Sequence, residues 1–247
     1  MSRSLFGTLR RQLYARTCKR RTLLTTGYPL VTFTFDDFPK SACTAGAAIV
    51  ESFGGRATYY TAMGLLGGHN DLGAQFDAED LHLLADRGHE IANHTYSHIS
   101  ARRCTATAFL DDVHRCEKAF REAGIPSWTQ NFAYPYGEVI VRTKGKLGAV
   151  MASCRGTQSG RNGPVVDLNL MRANPLYGGV EQGQVALNLI RENARQSGWV
   201  IFYTHDVSES PSPFGCTPAL LEYVARSAYE HEHQSIPVDQ VVKTRLV

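Results

Sequence analysis

Runs of β-branched and aromatic residues recur along this chain at a spacing of roughly 30 residues, with helical patterns between them, which is the signature of βαβ units feeding one parallel sheet. The strand candidates are Leu30–Asp37, Ala57–Ala62, His89–His94, Asn131–Ala133, Val150–Cys154, Leu168–Asn174, Trp199–His205 and a last short one near Ile236–Val242. Helical patterns cover Ala42–Phe53, Asp77–Asp86, Thr105–Ala123, a segment ending near Leu147, Val180–Gln196 and Thr217–His231. The stretches 64–73, 155–167 and 206–215 are rich in glycine or proline and read as loops. A chain of 247 residues suits a single large α/β domain, since barrels of roughly 200 to 250 residues form one unit. No internal repeat or interdomain linker interrupts it.

The net charge of +3 conceals an uneven distribution. Arg3, Arg10, Arg11, Arg16, Lys19, Arg20 and Arg21 precede the first acid, Asp36, and the rest of the chain has 19 basic residues against 23 acidic ones. The basic character belongs to an N-terminal extension, residues 1–27, ahead of one large domain spanning 28–247. That extension reads as a solvated or loosely docked segment. Leu5, Phe6, Leu9, Leu13 and Tyr14 also allow an amphipathic helix, hence a peripheral membrane contact; a nucleic-acid partner is not expected. No apolar run approaches the ~18 residues that span a bilayer, and no signal-peptide pattern is present. Six scattered cysteines without a CxxC pair read as free thiols of a reducing compartment, so a cytoplasmic location is expected.

Buried strands covered on both faces have no use for charge, yet the first ends in Asp36-Asp37. A turn or helix cap would also use such acids. The other strands decide against it: His94, Tyr136 and His205 also lie at carboxyl ends, where α/β folds build their sites. His94 and His98 are four residues apart and share one face if Asn93–Ser100 turns helically. Two imidazoles and one carboxylate form a ligand set that leaves zinc or a similar divalent ion an open position, as metal-assisted hydrolysis requires. Whichever acid the metal leaves free is then a general base, His205 an acid for the leaving group, and a backbone N–H in Pro135-Tyr136-Gly137 an oxyanion donor.

The ordered set TFDD, HTYSH, FAYPYG and a late apolar strand ending in His205-Asp206 resembles the polysaccharide deacetylase family, carbohydrate esterase family 4, from about Leu30 to Val242. The resemblance implies a distorted (β/α) barrel and metal-dependent removal of an acetyl group, N-acetyl first, from an amino-sugar-containing polysaccharide, oligosaccharide or glycan precursor. By motif, Asp36 is the catalytic base, Asp37, His94 and His98 the metal ligands, and His205 the catalytic acid. Zinc is the expected ion, with cobalt, nickel or manganese as alternatives. Pro135 and Tyr136 belong to the substrate-binding third motif, and Tyr203 stands where the family has a leucine lining the acetyl pocket. Ala133 replaces the arginine of that motif, and Arg172 is the candidate to orient the base instead. The family's Asp-Trp motif has no counterpart; neither Trp128 nor Trp199 matches it. Two other outcomes fit the same residues: hydrolysis of a non-sugar linear or cyclic amide, and a silent glycan-binding relative.

Overall fold

The structure is a computed structural model that describes residues 16–125 and 128–246. The amphipathic helix expected over Leu5–Tyr14 lies outside the described residues. The strands are β1 (Arg21–Leu23), β2 (Leu30–Asp36), β3 (Thr58–Thr61), β4 (His69–Asn70), β5 (Gly73–Ala74), β6 (Glu90–Asn93) and β7 (Trp128–Ala133). They continue as β8 (Ser153–Arg155), β9 (Val165–Asp167), β10 (Asn174–Pro175), β11 (Trp199–Thr204) and β12 (Gln234–Ser235). The α-helices are α1 (Ala47–Ser52), α2 (Ala78–Asp86), α3 (Ala106–Glu122), α4 (Val141–Leu147), α5 (Gln184–Gln196), α6 (Pro218–Glu230) and α7 (Val238–Thr244).

Eight parallel strands curl into a half-barrel in the order β10-β11-β2-β3-β6-β7-β8, with β12 pairing the start of β2. The expected distorted (β/α) barrel, a single domain, is what forms. Its last gap is bridged by an irregular segment, through a single contact between Arg155 and Met171.

Side-chain alternation along the strands sets the two faces. Val31, Phe33 and Phe35 of β2 pack outward with Val200 and Phe202 against Ala47 and Val50 of α1 and Leu220, Leu221 and Val224 of α6. The inward phase carries Leu30, Thr32, Thr34 and Asp36 on β2. On β11 the same phase brings Trp199, Ile201 and Tyr203, which cluster with Leu30, Val238 and Val241. Residues Tyr60, Ala92 and Ala133 form a separate small inward cluster. The interior is therefore apolar at the amino ends of β2 and β11, while Asp36 is presented at the carboxyl end of β2.

Three elements differ from the sequence reading. The expected strand over Ile236–Val242 is instead β12 followed by α7, because Pro237 occupies the N-cap and Val238 and Val241, three apart, bury one helical face against Trp199 and Leu30. The expected strand over Leu168–Asn174 is an irregular connection between β9 and β10, since hydrogen bonds from Met171 and Gly156 make only a bridge there. The described part of the basic extension is built into the domain: β1 pairs antiparallel with β9, and the Arg20 guanidinium donates to Gly148 O (3.1 Å), Met151 O (2.9 Å) and Ala152 O (2.5 Å). The six cysteines are unpaired. Among the described residues no helix is long and apolar enough to cross a membrane.

Candidate active site

Asp36 is the last residue of β2 and, as an inward-phase residue, faces the barrel interior, where it is 5% exposed. At Asp37 the chain leaves the extended conformation (φ 33°) while its N–H still donates to Tyr60 O (3.1 Å). The break brings both carboxylates to the site, where continued pleating would turn one away.

His94 follows β6 in the same inward phase as Ala92. The segment from Asn93 to Ser100 is not the helical turn that would put HxxxH on one face. It is a loop in which Thr95 (φ 61°) and His98 (φ 50°) take left-handed conformations, each costing on the order of 1–3 kcal/mol for a residue other than glycine. Asn93 Oδ1 accepts from Thr95 N (2.8 Å), Thr95 Oγ1 accepts from Ile99 N (3.1 Å), and the Asp112 carboxylate on α3 accepts from Ser97 N (2.8 Å) and Oγ (2.9 Å). Helix α3 itself is fixed by the buried stripe Phe109, Val113, Cys116 and Phe120 and by its N-cap Thr105. The strain is thus held by local bonds and a rigid neighbour.

The result is a tight cluster around one oxygen. Asp37 Oδ1 lies 3.8 Å from His94 Nε2, 3.6 Å from His98 Nε2 and 3.3 Å from His205 Nε2, yet it is buried without an aligned hydrogen bond. One donor atom each from Asp37, His94 and His98 lie within 4.8 Å of one another. His94 Nδ1 sits 2.8 Å from Ala133 O, so that nitrogen carries the proton and the Nε2 lone pair faces the cluster. Burial, helped by His98, pushes the His94 pKa down to about 4, which keeps the ring neutral. Burial works to raise the Asp37 pKa, but the nearby imidazoles, His205 first and then His98 and His94, outweigh it and hold the group well below the usual carboxylate range. For His205 burial works downward and Asp37 upward, and the carboxylate wins. Its Nδ1–H donates to Phe214 O (3.0 Å), which aims Nε2 at the cluster. A buried acceptor left open beside neutral imidazole is a fit for a divalent cation.

The arginine on Asp36 is Arg155, not Arg172. Arg155 Nη2 lies 2.5 Å from both Asp36 oxygens, and the guanidinium is sandwiched 4.7 Å from the Tyr60 ring and 5.2 Å from that of Tyr203. Arg155 is also the register partner of Ala133 across β7 and β8. The methyl side chain at 133 leaves room that the guanidinium of the neighbouring strand reaches across. Arg172 donates to Ser159 O (2.8 Å) on the outside of the barrel. Arg155 directly follows the short expected strand Val150–Cys154, a weaker form of the signal that singles out Asp36.

Pro135 is buried and opens a single 3-10 turn, Pro135–Gly137, in which Tyr136 is left-handed (φ 59°) and its ring, 65% exposed, stands 4.5 Å from His98. Gly137 (φ 61°) admits no side chain, because a Cβ there would lie 2.0 Å from Thr157 Oγ1. Tyr203 is mostly buried and meets Tyr177 edge to face at 5.6 Å. Phe214, 54% exposed, stands 5.8 Å from His205 and 6.1 Å from Tyr177. The loop that presents it is tied by Asp206, which accepts from Ser212 N (2.8 Å) and Oγ (2.5 Å). Tyr177 and Phe214 carry no recognisable sequence signal, since their places depend on how two loops fold back.

The sequence profile of the polysaccharide deacetylase family matches residues 24–150, just over half of the chain. The chain belongs to the polysaccharide deacetylase family. Membership implies hydrolytic deacetylation of a sugar polymer, by a family that generally uses a divalent metal. Among solved structures, it is similar to the peptidoglycan deacetylase PdaC from Bacillus subtilis (16% identity, TM-score 0.52, covering 88% of this chain and 92% of that one). It is also similar to a family 4 carbohydrate esterase from Streptomyces lividans in complex with acetate (19%, 0.53, 84% and 91%). A third is the Xyl-CE4 domain of a multidomain xylanase from the hindgut metagenome of Trinervitermes trinervoides (14%, 0.54, 88% and 91%). At these identities the likeness is one of fold.

Proposed function

We propose that this protein is a divalent-metal-dependent deacetylase that removes N-acetyl groups from an amino-sugar-containing polysaccharide, oligosaccharide or glycan precursor. The observation that carries the reading is Asp37 Oδ1, buried, without an aligned hydrogen bond and within 3.8 Å of three imidazole nitrogens. Asp37, His94 and His98 would hold the ion, and one carboxylate with two imidazoles favours zinc. A bound divalent ion supplies a positive charge that polarises an acyl oxygen and acidifies water.

The chain's own groups do the rest. Asp36, oriented by Arg155, accepts the proton of the attacking water. His205, its ring fixed through Nδ1–H on Phe214 O, delivers a proton from Nε2 to the departing amine nitrogen. The main chain of Tyr136 contributes an N–H to the developing oxyanion. Tyr203, held between Arg155 and Tyr177, walls the space for the acetyl methyl. The exposed rings of Tyr136, beside His98, and of Phe214, beside His205, offer apolar faces to sugar rings.

Acetate release from N-acetylated chito-oligosaccharides tests this. Chelator should abolish it, and zinc or cobalt should restore it. Activity indifferent to both treatments contradicts the proposal.

A further inference from the structure

The basic extension and the misplaced Arg172 meet at a second site. A cavity of about 430 Å³ opens on the outside of the barrel, lined by Lys19 and Arg21 of the extension and by Gln158, Arg161, Asp167 and Arg172 of the connection between β8 and β10. Among the described residues no carboxylate is ion-paired with Lys19, Arg21 or Arg172, while Arg161 reaches Glu192 at 3.3 Å. Asp167 does not offset them, because it already accepts from Lys144 Nζ (2.7 Å), Arg20 N (3.0 Å) and Asn169 N (3.1 Å).

The main chain that carries these cations is held in place. Arg20, between Lys19 and Arg21, is locked through its guanidinium to three main-chain carbonyls, which fixes the backbone on either side. Asn162 clasps the main chain of Arg172, accepting from its N–H (2.9 Å) and donating to its carbonyl (3.0 Å). Like charges gathered in a concavity repel one another and focus a positive field, which a compact anion relieves. The cavity volume is that of small-molecule sites, and concavity suits neither a bilayer nor a duplex. The guanidinium groups of Arg21 and Arg172 and the ammonium of Lys19, none of them ion-paired among the described residues, match multiply charged phosphate oxygens better than a single carboxylate.

We propose that this cavity is a phosphate-binding site that takes a phosphate or diphosphate group carried on a small molecule. Gln158 on its wall is three residues from Arg155, so their Cα atoms are at most about 11 Å apart. The group could arrive on a free ligand or on a phosphorylated sugar substrate.

Calorimetric titration of the full chain with inorganic pyrophosphate tests the site. Saturable binding is expected, weakened at least about tenfold in Arg21→Gln/Arg172→Gln, since charge-assisted hydrogen bonds are lost. The Arg21→Lys/Arg172→Lys protein, which keeps the charge, should still bind saturably. Pyrophosphate could also meet an ion held by Asp37, His94 and His98, so His94→Ala is run alongside and should bind as the parent does. Absence of saturable binding, binding lost in His94→Ala but kept in the double glutamine variant, or tighter binding of single-stranded DNA than of pyrophosphate would overturn the proposal. Given binding, a KM for an N-acetylated sugar diphosphate that rises in the double glutamine variant, against an unchanged KM for neutral oligosaccharide, assigns the phosphate to the substrate. Two unchanged KM values assign it to a separate ligand.

Discussion

Glu90 and Asp37 are both buried carboxylates, placed at opposite ends of one parallel sheet. Glu90, at the amino end of β6, accepts from Thr58 Oγ1 (2.7 Å), Asn131 Nδ2 (2.6 Å), Thr129 Oγ1 and the N–H of Asp239 at the start of α7 (2.9 Å). Every acceptor site it offers meets a fixed donor. Asp37, at the carboxyl end of β2, has an oxygen that nothing donates to in good alignment, and the backbone around it is left-handed at Asp37, Thr95, His98 and Tyr136. The fold satisfies a carboxylate where it serves only to seal the barrel floor. Where it leaves one open and strains the chain to do so, a ligand is to be received.

Substitutions should separate the two ends. The largest effect on turnover is expected from Asp36→Asn, which should lower kcat by about a thousandfold or more and, because it leaves the buried Arg155 without its carboxylate, should also lower stability by about 3–5 kcal/mol. An active Asp36→Asn protein would break the assignment. Arg155→Met comes next: kcat should fall about a hundredfold, and removing one partner of a buried pair should cost about 3–5 kcal/mol in denaturant unfolding. Arg172→Gln should leave kcat on neutral oligosaccharide unchanged; a loss there equal to that of Arg155→Met would restore Arg172 to the base.

At the other end Glu90→Ala should destabilise by about 3 kcal/mol, because it strands buried donors, with kcat per folded molecule preserved. Its pH dependence has a defined sign. Burial raises the Glu90 pKa above its ordinary value of 4.5, against the hydrogen bonds that lower it. The stabilisation tied to its protonation is therefore present below 4.5 and lost as pH rises through the raised value. The stability of the parent relative to Glu90→Gln should fall as pH rises from 4.5, and a rise would contradict it. The smallest effect is expected at the exposed ring beside His205, where Phe214→Ala should raise KM for oligosaccharide a few-fold with kcat unchanged.

The comparison also explains which parts were legible in the sequence. Asp36, Asp37, His94 and His205 stand out because each polar side chain ends an apolar run, and the βαβ rhythm sends those ends to one rim. Arg155 does not stand out in the same way, since its strand is three residues long and a glycine-rich loop follows. Its pairing with Asp36 spans 119 residues and depends on the register that sets it opposite Ala133. The final segment misleads for a different reason: Val238, Val241 and Val242 favour a strand locally, and burial of a helical face on the barrel floor overrides that preference. Nothing in the composition distinguishes Glu90 from Asp37, because satisfaction of a carboxylate is a property of three dimensions.

The most direct test is the metal content of the purified parent, Asp36→Asn and Asp37→Asn proteins, dialysed against one zinc concentration. The parent and Asp36→Asn should each retain about one equivalent, and Asp37→Asn should lose it, since the proposed ligand set takes Asp37 with His94 and His98 and leaves Asp36 out. Equal loss in both variants, or no zinc in the parent, would contradict the account.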